Sequence, residues 1–406
     1  MKKLLFISTR KEFEKVRLYK DEGLLPYYLG KEYDLEVDFL CSNRNKWMPE
    51  KFRTMRIIEK KTYFNILKEN KFFKNLYIDY IFYLLKNAKK YDYLAFFHLH
   101  PVKLPLVMIY KFLNPKGKIY IKLDIMLSTI ETFNNCNILK RIFFKYLLKK
   151  VDLFSCETEE CFEKIKKEGI LGIDLSKKIT LLKNGFDEDY LKDNKIKIRS
   201  FEEKENIMIT VGRIGTEQKN NEMLLKAIEN IELKDWKIFL IGPYTAEFYK
   251  LYLQFLEQNP EKKEKVLLIG NIDDKNILYD YYNRAKVFIL TSRWEGSAIV
   301  FPEALSFGNY IITTDVGGAK ESTQESKIGK IINKDNDINL RKEIQKIISN
   351  KVELEIKYID TLKLVKYFSW NEIVKNIDLK NLIEKGAFLY DKKIVTKKDT
   401  SMLKLK

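Results

Sequence analysis

Cysteine, histidine, glycine and proline are all scarce in this chain of 406 residues. Four cysteines are too few for a disulfide framework, and together with two histidines they provide almost no ligands for zinc, so we expect no metal site. The 16 Gly and 8 Pro, beside 45% hydrophobic residues, exclude collagen-like repeats and long disordered segments. The composition predicts a globular protein of a reducing, cytoplasmic environment.

Long apolar runs are also missing. No stretch approaches the roughly 18 uncharged apolar residues that a transmembrane helix requires. After Lys2 and Lys3 only four apolar residues precede Ser8, which predicts a first β-strand rather than a secretory signal. We therefore expect no membrane-spanning segment.

Positive charge is present in excess and is unevenly distributed. The net charge is +18, and residues 1–150 hold 31 of the 75 Lys and Arg but only 15 of the 57 Asp and Glu. This bias suits a polyanionic partner, such as nucleic acid, an anionic membrane surface or an acidic substrate, but a lysine-rich composition with solvated faces explains it equally well. Residues 138–151 are predicted to form an amphipathic helix with five cations. A helix that lies on a membrane surface would have this pattern, but the favoured interpretation is a helix packed on the core, with its basic face exposed to solvent.

The chain order predicts an α/β fold with two Rossmann-like domains and a cleft between them. Short apolar runs alternate with longer segments of helical periodicity, first up to about residue 180 and again from about residue 207. The predicted divisions are a first Rossmann-like domain over 1–200 with a linker from about 184, a second over 201–365, a C-terminal helix over 366–390, and a lysine-rich tail over 391–406.

Two cations follow the first strand of the second half. Gly212 allows close approach of a ligand to the backbone, Arg213 can grip phosphate oxygens in a fork, and Lys219 adds a point charge. The segment lacks both the dinucleotide-binding fingerprint and the phosphate-loop motif. It is therefore a candidate diphosphate site, with an ordinary strand-end turn as the alternative.

Two glutamates stand eight positions apart after a later strand. Glu295 is expected in the loop at the end of that strand, and Glu303 about two turns into the next helix, where it could accept hydrogen bonds from sugar hydroxyls. The small residues between them are expected to open that helix and to offer backbone N–H groups to a phosphate. The predicted donor-binding residues are Gly212, Arg213, Lys219, Glu295, Gly296, Ser297, Ala298, Ile299 and Glu303.

These segments resemble the retaining, GT-B-fold glycosyltransferases of family 4. Asn184-Gly185 is similar to the linker turn of that family, Gly317-Gly318 with Glu321 to its glycine turn, and Phe368-Ser369-Trp370 to the start of its C-terminal helix. The resemblance implies transfer of a sugar from a nucleotide diphosphate, with retention and without a metal or other cofactor. It also implies that the domain over 1–200 binds the acceptor, that the domain over 201–365 binds the nucleotide sugar, and that the helix over 366–390 crosses back to the first domain. Glu295 is then expected to contact the donor sugar and Glu303 to bind the ribose.

The first half departs from the family pattern. Asp124 stands where many members place an active-site histidine, so we hypothesise that it lies at the cleft, with a buried or capping aspartate as the alternative. His98 and His100 are predicted to share one face of a strand end, where they bind sugar or are structural; a metal pair is the least favoured interpretation. The acids at 187–189 are expected to form a solvated loop.

The sequence thus predicts a hexosyltransferase-type enzyme with Arg213, Lys219, Glu295 and Asp124 as catalytic residues. Its expected partners are a UDP- or GDP-linked sugar and a glycan or lipid-linked acceptor in cell-surface polysaccharide biosynthesis, at the inner face of the membrane. Two alternatives remain: a basic nucleic-acid-binding protein, and a noncatalytic subunit that binds nucleotide sugars.

Overall fold

The structure is a computed structural model that describes residues 1–10, 12–42, 49–60 and 78–377. These residues form two open sheets flanked by helices, which confirms the predicted α/β class with two Rossmann-like domains. The tail predicted at 391–406, and residues 378–390 of the predicted C-terminal helix, lie outside the described residues.

The strands are mostly short runs of Leu, Ile, Val and Phe buried on both faces, as parallel strands covered by helices require. In chain order they are β1 (Lys2–Ile7), β2 (Leu35–Cys41), β3 (Lys51–Phe52), β4 (Met55–Glu59), β5 (Tyr93–Phe97), β6 (Lys118–Leu123), β7 (Leu153–Cys156), β8 (Ile179–Leu181), β9 (Ile207–Val211), β10 (Lys237–Ile241), β11 (Val266–Gly270), β12 (Val287–Leu290), β13 (Tyr310–Thr314) and β14 (Gly329–Ile332).

The helices pack on both faces of the sheets, and several begin at a polar side chain that accepts a hydrogen bond from the first turn, as Asn137 and Thr245 do. They are α1 (Asp21–Glu32), α2 (Ile78–Asn87), α3 (Leu104–Leu113), α4 (Leu127–Asn134), α5 (Ile138–Lys150), α6 (Glu159–Glu168), α7 (Glu188–Asp193), α8 (Asn221–Ile228), α9 (Ala246–Gln258), α10 (Lys275–Arg284), α11 (Val300–Ser306), α12 (Ala319–Thr323), α13 (Asp337–Ser349), α14 (Lys351–Leu364) and α15 (Trp370–Ile373).

Both sheets have a point at which the strand order reverses. The first sheet runs β3-β4-β2-β1-β5-β6-β7-β8, and the second runs β11-β10-β9-β12-β13-β14; among the described residues only the β3–β4 pair is antiparallel. The reversals fall between β1 and β5 and between β9 and β12. In open α/β sheets, ligands bind beyond the carboxyl ends of the strands at such points.

The C-terminal segment crosses from the second domain to the first. Trp370 is almost fully buried in the core of the first domain, with its ring 6.5 Å from that of Tyr28 on α1. The crossing is fixed by backbone pairing, since Phe186 N–H donates to Phe368 O at 2.8 Å and Trp370 N–H donates to Phe186 O at 3.1 Å. The described part of the predicted helix over 366–390 is the short helix α15 between two 3-10 turns.

The acids at 187–189 are not the solvated loop that the sequence predicts. Asp187 is buried and accepts two hydrogen bonds from Arg53, at 2.9 and 3.0 Å, and one from Tyr28 OH at 2.7 Å. Asp189 is buried as well and pairs with Lys31. The prediction was wrong because the partners come from distant parts of the first domain, which a local charge pattern does not reveal.

Helix α5 is core-packed, as the favoured interpretation predicts, but its exposed face is not purely basic. It packs on the core through Phe144, Leu147 and Leu148, and its exposed side chains include the cations Lys140, Arg141, Lys149 and Lys150. The exposed apolar side chains on this face, here called the α5 stripe, are Ile138, Leu139, Ile142, Phe143 and Tyr146. Among the described residues, no helix combines the length and the apolar character needed to cross a bilayer.

Candidate functional site

The first part of the site is the turn at the carboxyl end of β9. The side chain of Lys219 lies across Gly212, where the Cβ of any other residue would come within 3.2 Å of Lys219 Cε. Lys219 Nζ is 2.6 Å from Glu295 Oε1, and both side chains are largely buried. The predicted cation and the first predicted glutamate are therefore in direct contact.

Arg213 joins the same network through a side chain that the sequence did not indicate. Its Nη2 donates to Gln218 Oε1 at 2.6 Å, and Gln218 Nε2 donates to Glu295 Oε2 at 3.2 Å. Ser292 OH donates to Glu295 Oε1 at 2.6 Å. We call Arg213, Gln218, Lys219 and Glu295 the donor network; it spans the ends of β9 and β12, where the strand order reverses.

The loop after Glu295, residues 296–299, is here called the donor loop. Helix α11 begins only at Val300, so Gly296, Ser297 and Ala298 precede the helix instead of opening it, and Ile299 is its N-cap. The loop rests on Gly317, where a Cβ would lie 1.7 Å from Gly296 O. Only glycine at 317 allows this backbone contact.

Glu303 lies in the first turn of α11, not two turns into it, because the helix starts later than predicted. It forms a separate cluster: Lys275 Nζ is 3.9 Å from Glu303 Oε1, and Tyr282 OH donates to Oε2 at 3.5 Å. Burial raises the pKa of Glu303, while Lys275 opposes the shift. Burial conversely lowers the pKa of Lys275.

Asp124 of the first domain faces the donor loop. A Cβ at Gly296 would lie 3.1 Å from Asp124 Oδ1, so the carboxylate and the loop backbone are close neighbours across the domain boundary. The side chain of Asp124 is 42% exposed, and His98 Nδ1 is 3.9 Å from its Oδ2. The structure thus places Asp124 and His98 on the first-domain side of the donor loop.

The two histidines do not lie in a strand as predicted, because β5 ends at Phe97. His98 takes a left-handed conformation with φ of 60°, and the buried Lys103 donates to the carbonyls of Phe97 and His98. Burial lowers the pKa of His98 against the opposing charge of Asp124, and burial with Lys103 and Lys140 lowers that of His100. Both imidazoles are therefore biased toward their neutral forms.

Gln218, Ser292 and Lys275 are the residues that sequence reasoning missed. Gln218 and Ser292 adjoin predicted residues but carry no motif of their own, and Lys275 begins a helix that had no assigned role. In the described ranges no group of three or more His, Cys, Asp or Glu side chains is arranged to hold a metal ion.

Known proteins resemble this chain in two ways. Residues 192–363 match the family Glycosyl transferases group 1. In sequence, the capsular polysaccharide biosynthesis glycosyltransferase CapM of Staphylococcus aureus is 26% identical over 248 residues, which cover 58% of this chain and 61% of CapM. The chain spans about three fifths of the length of the first curated relatives it matches.

In structure, sucrose-phosphate synthase from Thermosynechococcus elongatus is similar with a TM-score of 0.66 and 16% identity, over 92% of this chain and 97% of that one. Anabaena HepE, solved with UDP and glucose, is similar with a TM-score of 0.63 and 14% identity, over 94% of this chain and 99% of HepE. At these identities the likeness concerns the fold. Residues 192–363 are thus similar to the glycosyl transferases group 1 family, within a chain that has the two-domain GT-B fold.

Proposed function

We propose that this protein transfers a sugar from a nucleoside diphosphate to a glycan or lipid-linked glycan, with retention at the anomeric carbon. The observation that carries the proposal is the donor network, in which two cations and a carboxylate meet beyond the ends of β9 and β12. The name of CapM and the bound UDP and glucose of HepE support the same substrate class.

The chemistry follows from charge. The acceptor hydroxyl oxygen bonds to the anomeric carbon, the bond from that carbon to the diphosphate oxygen breaks, and the electron pair stays on the departing diphosphate. Arg213 and Lys219 stabilise this developing charge, the role a metal ion has in other enzymes. Before donor binds, Glu295 neutralises Lys219. The acceptor proton goes to the departing phosphate oxygen or to Asp124.

The donor identity is tested by a thermal-shift screen with UDP-glucose, UDP-galactose, UDP-N-acetylglucosamine and GDP-mannose. A donor at about 100 times its dissociation constant adds ~2.7 kcal/mol to the stability, which raises the melting temperature by a few degrees. The selected donor is then incubated with acceptor glycans, and the anomeric configuration of the product is read by NMR. Binding without hydrolysis or transfer favours a noncatalytic subunit, and binding of none of these donors refutes the proposal.

We also propose that the protein binds its acceptor at an anionic membrane surface, such as the inner face of the cell membrane. The α5 stripe lies opposite the buried face of the helix, with Arg141 and Lys145 along one edge and the exposed Lys149 and Lys150 within it at the end of the helix. Lys140, at the start of the helix, acts electrostatically on His100, which follows β5 at the cleft end of the sheet. This arrangement presents apolar and basic groups beside the cleft.

Vesicle sedimentation tests this surface. The wild-type protein should bind phosphatidylglycerol vesicles more weakly as salt rises, and the double variant I142S/F143S should lose most of this binding because both side chains leave the α5 stripe. Ile356→Ser, at an exposed position on α14 of the second domain, is the matched control and should bind like the wild type. Equal binding by both variants would refute the role of α5.

A further inference from the structure

A lysine lies completely buried at the end of β6. Lys122 has no solvent-exposed surface, and its ammonium contacts three oxygens: Glu157, Asp21 Oδ2 at 3.3 Å and Asn184 Oδ1 at 2.9 Å. An ammonium has three N–H donors, and all three are used. Burial alone would lower the pKa of Lys122, but the Glu157 and Asp21 carboxylates outweigh it and the pKa lies above its usual value.

The third contact continues across the domain boundary. Asn184 is buried, and while its Oδ1 accepts from Lys122, its Nδ2 donates to Ser297 O in the donor loop at 3.0 Å. The amide can point its NH2 group at Ser297 because the ammonium occupies its oxygen. A charge buried in the first domain therefore sets the orientation of the side chain that holds a backbone carbonyl of the second.

The donor loop has little other polar support on this side. Glu295, just before it, is held within the second domain by Lys219, Ser292 and Gln218. Two acidic side chains of the first domain lie near the loop: Asp124, and Glu157, whose Oε2 is 3.9 Å from the position of a Cβ at Gly296 and has no hydrogen-bond partner among the described residues. The Asn184 amide donates from the first domain to the backbone of this loop.

We propose that Lys122 and Asn184 are positioning residues that hold the donor loop in place for the transferred sugar. This inference rests on the proposed function. It separates two parts of donor binding. Arg213 and Lys219 grip the diphosphate from within the second domain. The donor loop was expected to offer N–H groups to a phosphate from the start of a helix, but it precedes α11, so we assign it to the sugar, and its position depends on a hydrogen bond from the first domain. Loss of that bond should weaken binding of the nucleotide sugar more than binding of the free nucleoside diphosphate.

The test is Asn184→Asp, which keeps the oxygen facing Lys122 and replaces the NH2 donor by a second oxygen facing the Ser297 carbonyl. Calorimetry is done with UDP-glucose and UDP, or with GDP-mannose and GDP if the screen selects guanosine. The nucleotide sugar should bind about fivefold to tenfold more weakly, the net effect of one hydrogen bond, and the nucleoside diphosphate should bind as in the wild type. Lys122→Met should change the two affinities in the same unequal way.

Asn283→Asp is the matched control, because Asn283 is also a buried asparagine whose Nδ2 donates to a backbone carbonyl, that of Lys197, but it lies away from the donor loop. It should leave both affinities unchanged. Asn184→Ala, which adds no charge, serves if the aspartate variant does not fold. Equal weakening of both ligands, or no weakening of either, overturns the inference; a wild-type protein that binds neither ligand overturns the proposed function itself.

Discussion

Lys219 and Glu295 neutralise each other, so donor binding has to exchange one ionic contact for another. The ammonium leaves a carboxylate 2.6 Å away in order to meet a diphosphate, and the freed carboxylate becomes available to sugar hydroxyls. Arg213 is less constrained, since its guanidinium donates to the neutral side chain of Gln218 and forms no ion pair with a described residue. At the scale of single residues, Arg213 is therefore the simplest place to test the diphosphate assignment.

Arg213→Ala should lower kcat on the order of 10²- to 10³-fold, because a preorganised donor aimed at the developing charge is removed. The measurement is steady-state transfer at saturating donor. Arg293→Ala is the control: Arg293 is a neighbouring cation, but it is engaged with Asp335 and Glu217 O, and it should retain most of the activity. A wild-type kcat in the Arg213 variant would contradict the assignment.

Lys103 supports the carbonyls at the end of β5 and gives a pH-dependent contribution to stability. Burial lowers its pKa to about 7 from an ordinary value of 10.5. Between these two values the unfolded chain binds the additional proton, so this group makes the protein more stable as pH rises. The free energy of unfolding of the wild type, minus that of Lys103→Met, should increase by about 2 kcal/mol from pH 7 to pH 9.

Urea unfolding at the two pH values measures this difference, and the exposed Lys250→Met is the control, for which the difference should stay near zero. A difference for Lys103→Met that does not change with pH would mean that the ammonium is not desolvated in the folded protein.

At the scale of elements, the turn between β13 and α12 determines where the donor loop can lie. Gly317 meets the carbonyls of Glu295 and Gly296, so a methyl group there would overlap backbone that has no side chain to rotate away. Gly317→Ala should weaken nucleotide-sugar binding at least tenfold while the second domain remains folded. Calorimetry measures the loss of nucleotide-sugar affinity, and circular dichroism shows whether the domain remains folded.

Gly172→Ala is the control for this change. Gly172 has a positive φ of 72° but open space around it, so alanine there should cost about 1 kcal/mol of stability without affecting donor affinity. If the two variants bind donor equally well, Gly317 is not needed for the shape of the donor loop.

Elements with uniform apolar runs could be predicted from the sequence, and those with mixed character could not. β5 and β12 are continuous apolar segments of the kind that predicts a buried strand. The two-residue β3 has too few side chains for a pattern, and β14 mixes Gly329 and Lys330 with two isoleucines. Helix α5 carries apolar and basic side chains together on its exposed face, which hides the α5 stripe from periodicity.

The residues of the candidate site also divide into those that the sequence indicated and those that only the fold reveals. Arg213, Lys219 and the two glutamates stand out because charged residues follow strands at motif spacing. Lys122 did not stand out, and Asn184 stood out only as part of a linker turn, since their partners Glu157, Asp21 and Ser297 are distant in sequence and only the fold brings them together. The sequence predicts too early a start for α11, because the small residues that precede the helix resemble a first helical turn in their composition.

At the scale of the whole molecule, the two domains are joined by few but specific contacts. Lys275 of the second domain lies 4.8 to 5.7 Å from the ring centroids of Tyr279, Tyr190 and Tyr19, the last of which belongs to the first domain. The crossing segment around Trp370 forms another joint, through packing on α1.

Trp370→Ala should lower the free energy of unfolding by about 3 to 5 kcal/mol, since it removes a fully buried indole from the core of the first domain. Urea unfolding followed by tyrosine fluorescence measures the change. Tyr367→Ala, in the same segment but exposed, should change stability by about 0.5 kcal/mol or less. Equal stabilities of the two variants would show that the crossing segment is not part of that core.

The crossing segment also makes the first domain discontinuous, since residues from β1 to β8 and residues around Trp370 share one core while the second domain is inserted between them. During synthesis on the ribosome, the inserted domain leaves the exit tunnel complete and can fold at once. The first domain waits, with part of its apolar interior open, until the chain around Trp370 has emerged. Chaperone protection is therefore needed most by the half of the molecule that is made first.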